Sequence, residues 1–533
     1  MNLKFKWFAA ASFCLLLLGG CGKDESEELN YKSVVFCSDV DVVIDPQIAS
    51  SLSGPKVFNA LFEGLVIPDP KTYEPLPGVA DSWSISEDGR IYEFHLRDDA
   101  KWSNGDPVVA GDFVFSVKRA LSSRSSLPFL DMFFPLRNAE RFHKQQVRHF
   151  NEVGIQAMGK HILRIELERP LHSFMYMLMQ PCWYPANGTV RESLGGYGEW
   201  GDFSKEIISN GPFMAINKDG DRNIILRKNP YYWDYGAVKL DEIRLMISSN
   251  VGRNLALFRN GLIDICTYSP QHMCYASDLI ENNEVKTDIH FGCFFLVLNT
   301  KNKPLDDENI RVALGTAVRR KALLKLLSMD DECAAYGLIP MFGPKYKSAK
   351  MFSENLVRAR ELLAAAGYEN GENFPKMRII CDGGVRQRTI CTFLGNELKK
   401  TLNIDTCVEC VGGDEVLAMR RSGDFDICCC DWYKEYPDPE EFLRLFSGKN
   451  QQNYCRWHSN EYDELLRVVS YTQDKEERLR LLKDAEQLLM REMPIIPLYF
   501  ESSLYLLKRR VRGWDSCLLD LHEWKFIDVD DDW

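Results

Sequence analysis

The sequence predicts an α/β protein of more than one domain, and three observations carry that expectation. Strand and helix patterns alternate across the second half: Met377 to Cys381, Thr389 to Lys400, Ile404 to Cys410, Asp414 to Arg421 and Phe425 to Cys430. Repeated strand-helix-strand units imply parallel pairing through right-handed crossovers. The first part of the chain is instead strand-rich, with a dense hairpin. Finally, 533 residues, 45% of them hydrophobic, exceed what a single core accommodates and imply two or three domains.

The elements follow in order. Lys4 and Lys6 precede an uncharged apolar run, Trp7 to Leu18, which is shorter than the ~20 residues needed to span a bilayer. Leu18-Gly19-Gly20-Cys21 ends it and resembles the bacterial lipobox, which makes Cys21 the expected lipidated residue. Residues 1–21 are then a lipoprotein signal peptide. Residues 22–31 have almost nothing to bury and read as a flexible tether. No later apolar run is long enough to cross a membrane.

Lys32 to Phe36 and Val40 to Ile44 are short strand patterns ended by Asp45-Pro46, and Phe58 to Leu65 holds a short helical pattern closed at Gly64. In the hairpin, Trp83 and Ile85 alternate with polar residues, Glu87-Asp88-Gly89 turns, and Tyr92, Phe94 and Leu96 alternate again. From about Ala110 a helix places Phe113, Val117, Ala120 and Leu121 on one face. Ser353 is the expected cap of a helix whose Leu356, Ala359, Leu363 and Ala366 form an apolar stripe ended by Gly367.

Composition and motifs exclude several classes. The net charge is −12, and no basic cluster exceeds Lys508-Arg509-Arg510, which argues against a nucleic-acid partner. The nine histidines are scattered without chelating spacing, and no hydrolase or phosphate-loop signature is present. Gly196-Tyr197-Gly198-Glu199-Trp200-Gly201 fits G-x-G-x-x-G, but no strand pattern precedes it and it reads as a loop. The expectation is a protein that is not an enzyme and holds no cofactor or metal. Seventeen cysteines become fifteen once Cys14 leaves with the leader and Cys21 carries lipid, an odd number for intrachain disulfides. Cys407-x-x-Cys410 lies in a strand pattern that turns its thiols to opposite faces, as small buried hydrophobes.

A family becomes visible across the body. Leu61-Phe62-Glu63-Gly64-Leu65, Pro77 to Gly89, Phe94-His95-Leu96-Arg97 and Lys101 to Pro107 resemble the family 5 bacterial extracellular solute-binding proteins, the oligopeptide- and dipeptide-binding receptors of ABC importers. Ser209 to Phe213, Leu226 to Trp233, Leu257 to Asp264, Asn299-Thr300 with Asp306 to Ala317, and Met493 to Tyr499 resemble its later signatures. Arg319 stands where the family usually has an acid. The resemblance implies a three-domain periplasmic-binding-protein-like fold, with two hinged α/β lobes plus an extra α+β domain. Residues 32–62, 190–288 and 498–533 would form domain I, 63–189 domain II and 289–497 domain III.

The resemblance also implies the site. Family members carry Trp-x-x-Asp-Tyr-Pro-Asp-Pro, and here Trp432 to Pro439 put Trp432 at the aromatic and Glu435 at the acid that meets a peptide α-ammonium. Asp431 and Tyr433 would pair their backbones with the extended ligand. Counting back places Arg420 at the cation for the ligand carboxylate, with Arg421 as the competing choice, and Cys429 where some members carry a second arginine. Asp41 aligns with a further backbone contact. The expected partners are an oligopeptide and the ABC permease subunits in the inner membrane. The protein would be a monomer in the periplasm or cell envelope, anchored through Cys21. Two alternatives remain at this point: a non-peptide ligand such as a metal chelate, haem or sugar, or a disulfide-crosslinked envelope protein with a degenerate cleft.

Overall fold

The computed structural model describes residues 31–38, 45–47, 58–122, 129–187, 207–218, 223–268, 277–341, 346, 350–433, 436–515 and 517–530. Cys21, Asp41 and Glu435 lie outside them, as do the strand expected at 40–44 and the loop at 196–201. Residues Lys32–Trp533 belong to one compact unit.

After β1 (Ser33–Ser38), β2 (Val66–Pro68) and β3 (Pro75–Pro77) pair as a small hairpin. β4 (Ala80–Ile85), β5 (Ile91–Leu96), β6 (Ile155–Ala157) and β7 (Ile162–Glu166) form an antiparallel sheet of order β4-β5-β7-β6. The expected hairpin is its first pair, turning through Gly89 at φ +68°. Tyr92, Phe94 and Leu96 are buried as the alternation requires, whereas Ile85 is exposed. The helix Ala110–Ala120 and its C-cap Leu121 bury all four expected apolar positions, and Asp112 ties the helix start by accepting from Val109 N and Trp102 Nε1.

The remaining strands are β8 (Phe213–Lys218), β9 (Asn223–Lys228), β10 (Glu242–Ile247), β11 (Ile265–Tyr268), β12 (Val285–Leu298), β13 (Met377–Asp382), β14 (Thr406–Val411), β15 (Ile427–Tyr433) and β16 (Ile495–Leu507), besides the small β17 (Val511–Arg512) and β18 (Asp528–Val529) pair. Ten strands make one mixed sheet of order β14-β13-β15-β12-β16-β11-β1-β10-β9-β8. The expected alternation is realised: β13 is parallel to both β14 and β15, with helices Val385–Leu402 and Gly413–Ser422 between them.

Two long strands run through both halves of this sheet. The first part of β12, Val285 to Ile289, pairs with Leu506 to Ser502 of β16. Its last part, Cys293 to Val297, pairs with Phe500 to Ile495, and the register shifts between them. Two cores cover opposite faces of the sheet on the β15 side, one containing Phe295 and Cys430 and the other Leu296 and Cys429. Two more cover the β1 side, around Phe36 and around Cys37. The domain boundaries expected at 288/289 and 497/498 fall inside β12 and β16.

Three local expectations need correction. The helix Leu356–Ala365 is capped by Asn355, whose Oδ1 accepts from Arg358 N at 3.0 Å; Ser353 stands two residues too early to reach that amide. β15 starts two residues later and ends three residues later than its apolar run. Asp426 binds Arg378 N at 2.9 Å just before it, and β12 supplies partners as far as Tyr433. Cys407 is exposed and Cys410 only half-buried instead of both being buried, on a strand, β14, that lies at the sheet edge. The fourteen described cysteines form no disulfide among the described residues. Arg319, the departure from the family pattern, makes a two-pronged pair with Glu397 at 2.6 and 2.9 Å.

The signature segments at 61–65, 209–213 and 229–233 meet at one buried carboxylate. Glu63 accepts from Tyr232 OH at 2.5 Å and Trp233 Nε1 at 2.6 Å, while Asn210 bonds both its backbone N and O. Gly211 lies so close that a Cβ there would sit 2.5 Å from Leu61 C. Glu523 is buried beside this node and accepts from Asn59 Nδ2 at 2.7 Å. Burial, then the Glu63 charge, push its carboxyl from 4.5 up to about 8. Between those values the native state keeps a proton that the unfolded chain has released, so stability falls as pH rises. Urea unfolding from pH 5 to 8 should lose on the order of 3 kcal/mol through this group. Glu523→Gln should flatten that slope; an equal slope in the variant would refute the assignment.

Candidate ligand-binding site at the end of β15

Alternation along β15 sorts the expected site residues. Cys428, Cys430 and Trp432 face one core, and Trp432 packs half-buried against it. Cys429, Asp431 and Tyr433 face the other side. Cys429 Sγ meets Cys391 Sγ at 3.1 Å, Asp431 is exposed, and Tyr433 is half-buried. Three adjacent cysteines therefore serve a strand packed on both faces.

β12 partners β15 along its whole length, from Leu298↔Ile427 to Gly292↔Tyr433. On the other side β13 reaches only Ile379↔Ile427 and Ile380↔Cys428. From Cys429 to Tyr433, β15 is thus paired with a strand on its β12 side alone, among the described residues.

Arg420 lies at the start of this stretch. Its Nη2 donates to Cys429 O at 2.5 Å and its Nε to Cys428 Sγ at 3.1 Å, with the guanidinium half-buried. Arg421 is exposed, and its carbonyl accepts from Arg456 Nη2 at 3.1 Å. The structure therefore places Arg420 against the strand that carries Asp431, Trp432 and Tyr433, with Trp432 on one face and the other two on the opposite one, and leaves Arg421 exposed.

Three further residues complete the arrangement. Tyr433 lies across Gly292, where a Cβ would sit 2.7 Å from its Cδ1. Near it lies Glu501, a buried acid of β16 at the register shift. Arg386, near the start of helix Val385–Leu402, pairs with Glu501 at 2.8 Å and lies 5.1 Å from the Tyr499 ring centroid. Burial raises the Glu501 carboxyl, and the Arg386 charge and Tyr433 hydroxyl oppose that rise. Sequence reasoning missed all three because they lie on different elements. Glu501 carried a signal, as the only charge in the thirteen-residue β16.

Beyond residues 434–435 the chain enters a cavity of about 470 Å³, lined by Trp83, Tyr92, His172, Tyr176, Pro437 and Arg478 among others. Arg478 Nη2 bridges Asp438 at 2.9 Å and Glu440 at 2.6 Å, all three buried. Burial pushes Asp438 up to about 6, and Asp438 also caps the helix Pro439–Leu443. Those contacts fix the segment from Asp438 to Glu440.

Comparisons with known proteins agree with this architecture. Residues 74–454 match the bacterial extracellular solute-binding proteins, family 5 Middle. The chain belongs to this family of solute-binding proteins. It is similar to the dipeptide-binding protein DppE of Bacillus subtilis, at 28% identity over 479 residues, 88% of this chain and 86% of that one. The oligopeptide-binding protein OppA of the same organism is 27% identical over 509 residues, covering 93% and 92%. Among solved structures, the unliganded open form of the periplasmic murein tripeptide binding protein MppA has a TM-score of 0.84 at 25% identity, covering 94% of this chain and 97% of that one. No helix among the described residues is long and apolar enough to cross a membrane.

The aromatic seat on Gly292 is testable. Gly292→Ala should cost about 1–3 kcal/mol by displacing Tyr433. Combining it with Tyr433→Ala should be clearly less than additive in urea unfolding. Additive effects would show that the two residues do not share a contact.

Proposed function

We propose that this chain is the substrate-binding receptor of an ABC-type peptide importer. It binds an extended oligopeptide between two lobes and is tethered to a membrane by lipid on Cys21. The observation that carries the reading is the edge of β15 from Cys429 to Tyr433, which has no second strand among the described residues and ends two positions before Glu435 in the sequence. An extended peptide adds to such an edge as a further strand, so that main-chain bonds supply affinity without reading sequence. Arg420 bonds the Cys429 carbonyl from a helix, which supports that carbonyl lying on the edge away from β12. Alternation then turns the peptide groups of Asp431 and Tyr433 to the same edge.

The charges give the ligand a direction. Its ammonium meets Glu435 beyond one end of the edge, framed by Trp432, and its carboxylate lies toward Arg420 at the other. The four steps from Cys429 to Tyr433 span about 13 Å, which suits peptides of about three or four residues. Asp41 contributes a backbone contact from domain I. Domain I, of residues 32–62, 190–288 and 498–533, closes on domain III, of residues 289–497, while domain II, 63–189, stands beside them. Closure through β12 and β16 creates the shape that inner-membrane permease subunits recognise. The receptor works as a monomer in the periplasm or cell envelope and catalyses no reaction.

Glu435→Gln tests the anchor. Calorimetry with a free-amine tripeptide should show affinity weakened by about 10- to 100-fold, the size of one charge-assisted contact of ~1.5–3 kcal/mol. The N-acetylated tripeptide should bind wild type and variant alike. Unchanged affinity for the free-amine peptide in a folded variant would sink the amine anchor.

A further inference from the structure

Away from that edge, two Asp-x-His sequences face each other in the interior. Asp288-Ile289-His290 lies on β12 at the register shift, and Asp520-Leu521-His522 lies on the C-terminal segment beside it. That segment passes between cores: Trp514 and Trp524 pack around Phe36, whereas Leu519 and Leu521 pack in the core of Phe295 and Cys430. Phe291 N donates to Leu518 O at 2.8 Å and holds the two stretches together. All four polar residues are buried, His522 with only 4% exposure.

The separations of Asp288, Asp520 and His522 are those of a ligand set, and His290 lies beside Asp520. His522 Nε2 is 3.3 Å from Asp288 Oδ2 and 3.5 Å from Asp520 Oδ1, and His290 Nε2 is 3.7 Å from Asp520 Oδ2. One ligand atom each from Asp288, Asp520 and His522 fall within 4.8 Å of one another. His522 Nε2 and Asp288 Oδ2 are fully enclosed, yet neither makes a hydrogen bond among the described residues, so their 3.3 Å approach is misaligned for one. A tetrahedral cation with nitrogen and oxygen ligands at about 2.0–2.2 Å has ligand-to-ligand edges of roughly 3.3–3.6 Å. The groups behind the cluster orient it. Tyr505 OH and Ser503 Oγ donate to Asp520, and the His522 ring stacks on Trp514 with centroids 3.8 Å apart and planes 18° apart. Outer contacts of this kind fix the direction of metal ligands.

We propose that Asp288, His290, Asp520 and His522 bind one divalent transition-metal cation, with zinc the best match to a two-imidazole, two-carboxylate set. The ion ties β12 to the C-terminal segment where both pass between cores. It is independent of the peptide site and of whether peptide is the ligand. An imidazolium at His522 between the two carboxylates would account for the same distances without an ion, and the experiment separates the two.

The full chain, freed of metal with a chelator, is titrated with zinc sulfate at pH 7.5. The expected result is one zinc per chain with a Kd below about 1 μM, and zinc-edge absorption showing only nitrogen and oxygen neighbours at about 2.0–2.1 Å. His522→Gln should weaken uptake by roughly 100-fold with unchanged circular dichroism, and Asp288→Asn should weaken it at least ~10-fold. No uptake, unchanged affinity in the folded variants, or sulfur neighbours, which would put the ion on thiols such as Cys381 and Cys410, would each overturn the proposal. Should either variant fail to fold, the wild-type stoichiometry and absorption spectrum decide by themselves.

Discussion

The pairing of β12 with β16 is the constraint on which the rest depends. Both strands are long enough to take part in both halves of the ten-stranded sheet, so the halves join through the same two segments. A ladder that stayed in register throughout would make one stiff sheet. Here the register shifts between Ile289 and Cys293, and the shift is where chemistry collects. Glu501 sits there with Arg386 and Tyr433, Gly292 lies under the Tyr433 ring, and Asp288 and His290 face the C-terminal segment. A bulge re-aims side chains and interrupts pairing, so a site built at one is placed by the backbone itself.

Buried charges mark the other fixed points of the fold. Arg320 is fully buried and donates to the carbonyls of Ala335, Pro497, Gly315 and Val318, with its guanidinium 4.5 Å from the Phe352 ring centroid. Arg478 holds Asp438 and Glu440, and Glu63 gathers Tyr232, Trp233 and Asn210. A buried charge adds little net stability over a well-packed apolar group, but losing one partner leaves the other uncompensated. Such nodes therefore fix which segments meet. In this chain they join residues far apart in sequence, as at Glu63, where three family signatures converge.

What could be read from the sequence divides along the same line. The alternation of 377–430 was legible because each element carries its own period, and its parallel pairing followed from the crossovers. The order β14-β13-β15 was not, because strand order is decided by which faces fit. The two faces of Cys428, Cys429 and Cys430 followed from period two alone. The end of β15 did not, since Tyr433 stays in the strand only because β12 supplies Gly292 opposite. Trp432, Tyr433 and Arg420 are legible as candidates from a linear motif and the count back from it. Arg386 and Glu501 were hidden because their meaning is a contact across three elements. The two Asp-x-His pairs were printed in the chain, yet 232 positions separate Asp288 from Asp520 and only the fold brings them within reach.

The central claim is that the free edge of β15 is completed by a short peptide with a free amino terminus. Mass spectrometry of small molecules released from protein exported and purified without denaturation tests this most directly. The account predicts a mixture of peptides of about three or four residues, unmodified at their amino ends and varied in sequence. A single dominant non-peptide compound, such as a metal chelate, a haem or a sugar, would contradict it.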